Sequence, residues 1–144
     1  MFSKACEYAI KAAIYIAQQS QQQRTVNVKD VSLSIDAPVA FTAKILQVLC
    51  RGGILQSVRG KQGGFFFDTE KQARHRIFDV VRLIDGDGLF TKCGLGLHHC
   101  SGENPCPVHD DFKVVREKLF EMTQKHTFKD LAAQTENGLA WLRN

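Results

Sequence analysis

No apolar run in this 144-residue chain approaches the roughly 18 residues needed to cross a bilayer. A helical membrane protein is therefore not expected. Lys4, Glu7 and Lys11 interrupt the first apolar residues, so a secretory leader is not expected either, and the chain reads as cytoplasmic. An even complement of cysteines is also lacking: there are five, which argues against a disulfide framework. Internal repeats and low-complexity tracts are absent. One domain, or one small domain with an appended element, suits the length. No nucleophile–base pair or paired carboxylates stand in a persuasive setting, so an enzyme is not expected. The last absence concerns charge. From Ala37 to Phe67 there is no acid, only Lys44, Arg51, Arg59 and Lys61; from Asp85 to Asp111 there are five acids against Lys92. A surface for a polyanion is thereby separated from a second, acidic segment.

What is present reads as helices followed by a hairpin. Ser3 caps a first helix, expected to run to about Gln18, that is apolar nearly all round, with Glu7 and Lys11 spaced as an i,i+4 pair. Asn27, with Asp30 reaching back, caps a short helix through Val28, Val31 and Leu33, and Ile35-Asp36-Ala37 turns the chain. Pro38 suits the first position of a third helix that Gly52-Gly53 ends. Its inner stripe is expected to be Phe41, Ile45, Val48 and Leu49. Its outward residues, Val39, Ala40, Thr42, Ala43, Lys44 and Gln47, are small or polar, as a helix entering a DNA groove requires. Two strand-like runs, 54–58 and 65–68, flank Arg59-Gly60-Lys61-Gln62-Gly63-Gly64. Helix, turn, helix and a basic-tipped hairpin is the order of a winged helix-turn-helix.

Ile77, Val80, Val81 and Ile84 mark a further helix, stopped by Asp85-Gly86-Asp87-Gly88. The basic stretch Glu70 to Arg76 before it has no sequence account. From about Asp110 to Lys125 a long helix carries Phe112, Val115, Leu119 and Met122 near heptad spacing, a stripe suited to a partner helix. Thr127-x-x-Asp130 starts one last short helix.

Cys93, Cys100 and Cys106 lie in a glycine-rich stretch that ends at His109, with six residues in the first gap and five in the second. Three thiols and a histidine are a possible zinc set, but structural zinc usually takes one closely spaced pair, and none is here. Wider gaps among glycines favour an iron–sulfur cluster, whose ligands must spread and whose sulfides accept backbone N–H groups. Zinc stays open on spacing alone. Cys6 and Cys50 read as inert helix thiols, and His98 and His99 as exposed loop residues.

Six stretches resemble the IscR/NsrR family of bacterial winged-helix regulators. They are Cys6-Glu-Tyr-Ala-Ile-Lys-Ala-Ala-Ile-Tyr-Ile-Ala17, Lys44-Ile-Leu-Gln-Val-Leu49 with Gly52-Gly53, Ser57-Val-Arg-Gly-Lys-Gln-Gly-Gly64, Asp79-Val-Val-Arg-Leu-Ile-Asp-Gly86, the three cysteines, and Thr127-Phe-Lys-Asp-Leu-Ala132. The resemblance implies a homodimer held by the long C-terminal helix and reading a palindromic operator in double-stranded DNA. It implies that Cys93, Cys100 and Cys106 bind an iron–sulfur cluster; the first cysteine gap does not settle two irons (2Fe-2S, the favoured reading) against four (4Fe-4S). His109 stands where IscR-like members place a histidine ligand; Glu7 stands where NsrR-like members supply an acidic ligand from the partner subunit.

The expected fold is thus mainly α with a small β-hairpin. Residues 1–84 form a winged helix-turn-helix domain, 85–109 a cysteine-rich cluster-binding loop, and 110–144 a dimerisation helix and tail. The expected function is a DNA-binding transcriptional regulator, read as a repressor, under control of a cluster that senses nitric oxide, redox or cluster status. Pro38, Val39, Ala40, Thr42, Lys44, Arg59, Lys61 and Gln62 are the expected DNA contacts, with no membrane partner and no small-molecule substrate. The rival readings are a winged-helix regulator with a zinc or thiol-switch site, and a small iron–sulfur redox protein.

Overall fold

A computed structural model describes residues 1–144. Helix α1 (Lys4–Gln21) starts at Ser3, whose hydroxyl accepts from the Cys6 amide at 3.1 Å. A helix with apolar residues on every side must be enclosed, and Cys6, Ala9, Ala12, Ala13, Ile16 and Ala17 are fully buried. The alanines let neighbouring helices approach closely, so α1 is the axis of the molecule. The expected Glu7–Lys11 pair does not form. Glu7 pairs with Lys4 at 2.9 Å, and Lys11 donates to the Ile35 carbonyl at 2.9 Å. That carbonyl ends the next helix and has no intrahelical donor, so a cation there is favoured over a solvated surface pair.

Helix α2 (Val28–Ile35) carries the expected capping box: the Asn27 side chain accepts from the Asp30 amide at 2.9 Å, and Asp30 accepts from the Asn27 amide at 3.3 Å. Asp36 takes a left-handed φ of 52°, and α3 (Val39–Arg51) follows with Pro38 just outside its first turn. The axes of α2 and α3 turn by 109°, the geometry of a helix-turn-helix. Ile45 and Leu49 face inward as expected, but Leu46 and Thr42 complete the buried stripe, while Phe41 lies at the surface edge-on to Tyr8.

Strands β1 (Gln56–Val58) and β2 (Gly64–Phe66) pair antiparallel, Gln56 opposite Phe66 and Val58 opposite Gly64. They are shorter than expected because Ile54, Leu55 and Phe67 turn into the core. Val26 adds a bridge to Phe65, with N–H···O bonds of 3.1 and 2.7 Å. Gly64, at φ +153°, lies so close to the Val26 backbone that a Cβ could not fit. The unexplained basic stretch is helix α4 (Thr69–Arg74), capped by Asp68. Its single buried residue is polar: Gln72 donates to the carbonyls of Phe67 (2.8 Å) and Ala17 (3.3 Å) and accepts from Gln21 at 3.0 Å. These bonds satisfy the buried amide and tie the root of the wing to α1.

Helix α5 (Ile77–Ile84) is followed by the short α6 (Gly88–Thr91), the cysteine loop, α7 (His109–Lys125) and α8 (Phe128–Glu136). Phe78 of α5, Phe90 of α6 and Phe120 of α7 form an aromatic trio with centroid separations of 5.3–5.6 Å. The stripe expected along α7 is split between two faces. Phe112 lies over Gly94, Phe120 packs in the aromatic trio and Thr123 is buried, whereas Val114 and Val115 are more than half exposed. Thr127 and Asp130 form the expected capping box of α8. Phe128 is fully buried, 5.3 Å from Phe67, and Ala132 is buried with it in the core built around α1. Helix α7 thus stands at the edge, and α8 returns to the N-terminal core. No single helix is long and apolar enough to cross a membrane.

Candidate nucleic-acid interface and cysteine loop

Pro38, Val39 and Ala40 are exposed at the start of α3, with Lys44 and Gln47 on the same outer surface. No acid lies in that first turn, so the positive end of the helix dipole is unopposed. Thr42 does not belong to this surface. It is fully buried, and its hydroxyl donates to the Pro38 carbonyl four residues back at 2.8 Å. The internal bond lets a polar residue occupy an apolar position. At the wing, Arg59, Gly60, Lys61 and Gln62 are exposed, and neither Arg59 nor Lys61 has an acidic partner. The tip is closed by the Gly63 amide donating to the Gly60 carbonyl at 3.0 Å. Recognition helix and wing thus present small residues flanked by unpaired cations, an arrangement suited to groove entry with phosphate contacts on either side.

The second region is the loop between α6 and α7. Cys93 and Cys106 are buried. The backbone of Leu95 and of Leu97 holds the Cys93 thiol below its usual range against the opposing effect of desolvation, with the Cys106 side chain and the Gly96 backbone adding less. Cys100 is half-buried, with Sγ 3.5 Å from His109 Nδ1 and 3.3 Å from Arg116 Nη2. Arg116 also donates from Nη1 to the Lys92 carbonyl at 3.0 Å. A groove of about 700 Å³ opens beside Cys100, His109, Arg116 and Phe120. Sequence alone did not single out Arg116. The signal was its spacing from Phe112 and Phe120, which places all three on one side of α7.

All five cysteines are free thiols. Among the loop donors Cys100 lies against His109, and no three cysteine, histidine or acidic side chains converge where a metal ion could sit. In donor chemistry the set, three thiols and an imidazole, fits a thiolate-bound metal group. His98 and His99 are exposed, as expected. Glu7 is paired within its own helix, and Lys4 holds its carboxyl below the usual carboxylate range. Burial pushes Cys6 up to about 12, with Asp85 adding to it, and burial also raises Cys50; both stay protonated and unreactive.

Residues 2–134 match the model of a family described as Rrf2, iron-dependent transcriptional regulator. The chain is 30% identical over 133 residues to a protein of Aquifex aeolicus assigned as an HTH-type transcriptional regulator, covering 91% of this chain and 90% of that protein. It is 26% identical over 129 residues to the HTH-type transcriptional regulator IscR of Vibrio cholerae, covering 90% and 73%. Among solved structures, CymR, the global cysteine regulator of B. subtilis, superposes with a TM-score of 0.74 at 16% identity, covering 92% of this chain and 96% of that one. The IscR structure from T. potens gives 0.73 at 19% identity, covering 97% and 91%. These likenesses identify the fold as the winged helix of such regulators.

Proposed function

We propose, because the chain belongs to the Rrf2 family of DNA-binding transcriptional regulators and not to a class of enzymes, that it is a cytoplasmic homodimeric repressor whose operator affinity is set by an iron–sulfur cluster. Cys93, Cys100 and Cys106 would hold the cluster, and His109 would be the fourth ligand. The observation that carries this reading is the approach of His109 Nδ1 to Cys100 Sγ at 3.5 Å. It favours His109 over the partner subunit's Glu7, since Glu7 is engaged with Lys4. When bound, the cluster supplies a centre whose coordination responds to redox state, nitric oxide or iron supply. The chain's own part is to bring the three thiols and His109 together by closing a glycine-rich loop on the start of α7.

Pro38, Val39, Ala40 and Lys44 would enter the major groove, with Arg59, Lys61 and Gln62 along the backbone and minor groove. The exposed Val114, Val115 and Met122 of α7 offer the face for a second copy. In such a dimer the two recognition helices must meet half-sites of a palindrome about 34 Å apart, so a small shift at α7 changes the fit. A coupling of roughly 1–3 kcal/mol would switch operator occupancy.

Anaerobic purification followed by an absorption spectrum and iron, sulfide and zinc analysis tests this directly. The expected protein is coloured and contains iron and sulfide, and Cys100→Ala loses the chromophore while the winged helix stays folded by circular dichroism. A colourless protein carrying stoichiometric zinc would overturn the cluster and leave a zinc-stapled regulator.

A further inference from the structure

We infer that Arg116 is the positioning residue through which the state of Cys100 reaches helix α7 and, beyond it, the recognition helix. The inference rests on the regulatory reading of the cysteine loop but not on which group Cys100 holds. One planar guanidinium clips both arms of the loop: Nη1 to the Lys92 carbonyl, next to Cys93, at 3.0 Å, and Nη2 to Cys100 Sγ at 3.3 Å. Two parallel donors at fixed separation suit this task, and a lysine could not reproduce them. The other side-chain hydrogen bonds within the loop are local: His109, the first residue of α7, meets Cys100, and Glu103 meets Ser101. Phe112 adds only packing, over Gly94. Beyond the first turn of α7, Arg116 alone fastens the loop by hydrogen bonds.

The consequence is directional. Whatever engages the Cys100 sulfur, whether metal coordination or a covalent bond, removes or reshapes an acceptor that is anchored on α7. One turn further along the same face, Phe120 packs on Phe78 of α5 at 5.3 Å. From α5, Leu83 lies against Gly52 at the C-terminal end of α3, so tightly that a Cβ on Gly52 would collide with it. The connection from Cys100 to the recognition helix thus runs along α7 and α5 between these contacts, and its test is energetic coupling.

Operator affinity is measured by titration for the reduced, cluster-free protein in four forms: wild type, Cys100→Ala, Arg116→Ala and the double variant, using DNA from the promoter of its own gene. Each single substitution is expected to change affinity by about fivefold, near the lower end of such couplings. The double variant should change it no further. Effects that multiply, or single variants that match wild type, overturn the relay. Hydrogen exchange on the same proteins reads the clip without DNA. In Arg116→Ala and in Arg116→Lys the amides of residues 93–100 should exchange faster, while those of α8 keep their protection. Wild-type loop protection in Arg116→Lys overturns the forked contact. The cluster reading fails separately, on a colourless wild-type protein.

Discussion

Every helix from α1 to α5 puts at least one residue fully out of solvent, whereas between Cys93 and Val108 only Cys93 and Cys106 are buried. The first region is specified by hydrophobic burial around a small-residue axis. Its one buried side-chain amide, Gln72, has all its bonds made within the protein. The second region has glycines, exposed Leu95 and Leu97, and hydrogen bonds to sulfur in place of a core. A segment built this way gains little by folding on itself and takes its conformation from what its donors hold. The comparison also separates tasks: the core presents α3 and the wing at fixed geometry, and the loop can change without unfolding that platform.

The sharpest way to break this division is through α8. Phe128→Ala removes a fully buried ring from the core and is expected to cost about 3–5 kcal/mol in urea unfolding. A loss below about 1 kcal/mol would mean that α8 is an appendage to the core. A smaller effect separates surface from core. Arg59→Ala should weaken operator binding about tenfold and reduce the salt slope by about one, leaving the unfolding midpoint unchanged. Unaltered binding would remove the wing from the interface. Smaller again, Thr127→Ala should cost about 1 kcal/mol through loss of the α8 cap. The cap has a pH signature. Hydrogen bonds from Thr127 hold the Asp130 carboxyl below its usual range. Its contribution is therefore present above the unfolded value of about 3.9 and is lost as pH falls through the lowered folded value. Thr127→Ala should flatten that acid limb in thermal melts, and an unchanged limb would show that the cap adds nothing.

Much of the helical framework could be read from local chemistry. Ser3, the Asn27–Asp30 pair and the Thr127–Asp130 pair all cap the helices they announced, because a cap is satisfied within four residues. Helix α4 escaped notice because it has no apolar period and buries an amide. Thr42 was misassigned to the DNA face because its hydroxyl is satisfied inside its own helix, which no outward-facing pattern reveals. In the candidate site, the cysteines, His109 and the wing cations stood out by type and spacing. Arg116 did not, since an arginine on a charged helix is distinguished only by what it touches.

By itself the sequence determined where helices begin, where the hairpin turns, which segment is free of acid and which carries the thiols. Each of these follows from groups close together along the chain. Only the tertiary structure decided that α8 joins α1 in the core, that the α7 stripe divides between two faces, and that Arg116 reaches both Cys100 and the Lys92 carbonyl. Those outcomes depend on groups far apart in sequence competing for the same neighbours. Lys11 leaves Glu7 for the end of α2 by the same rule: a carbonyl without a donor outranks a solvated partner.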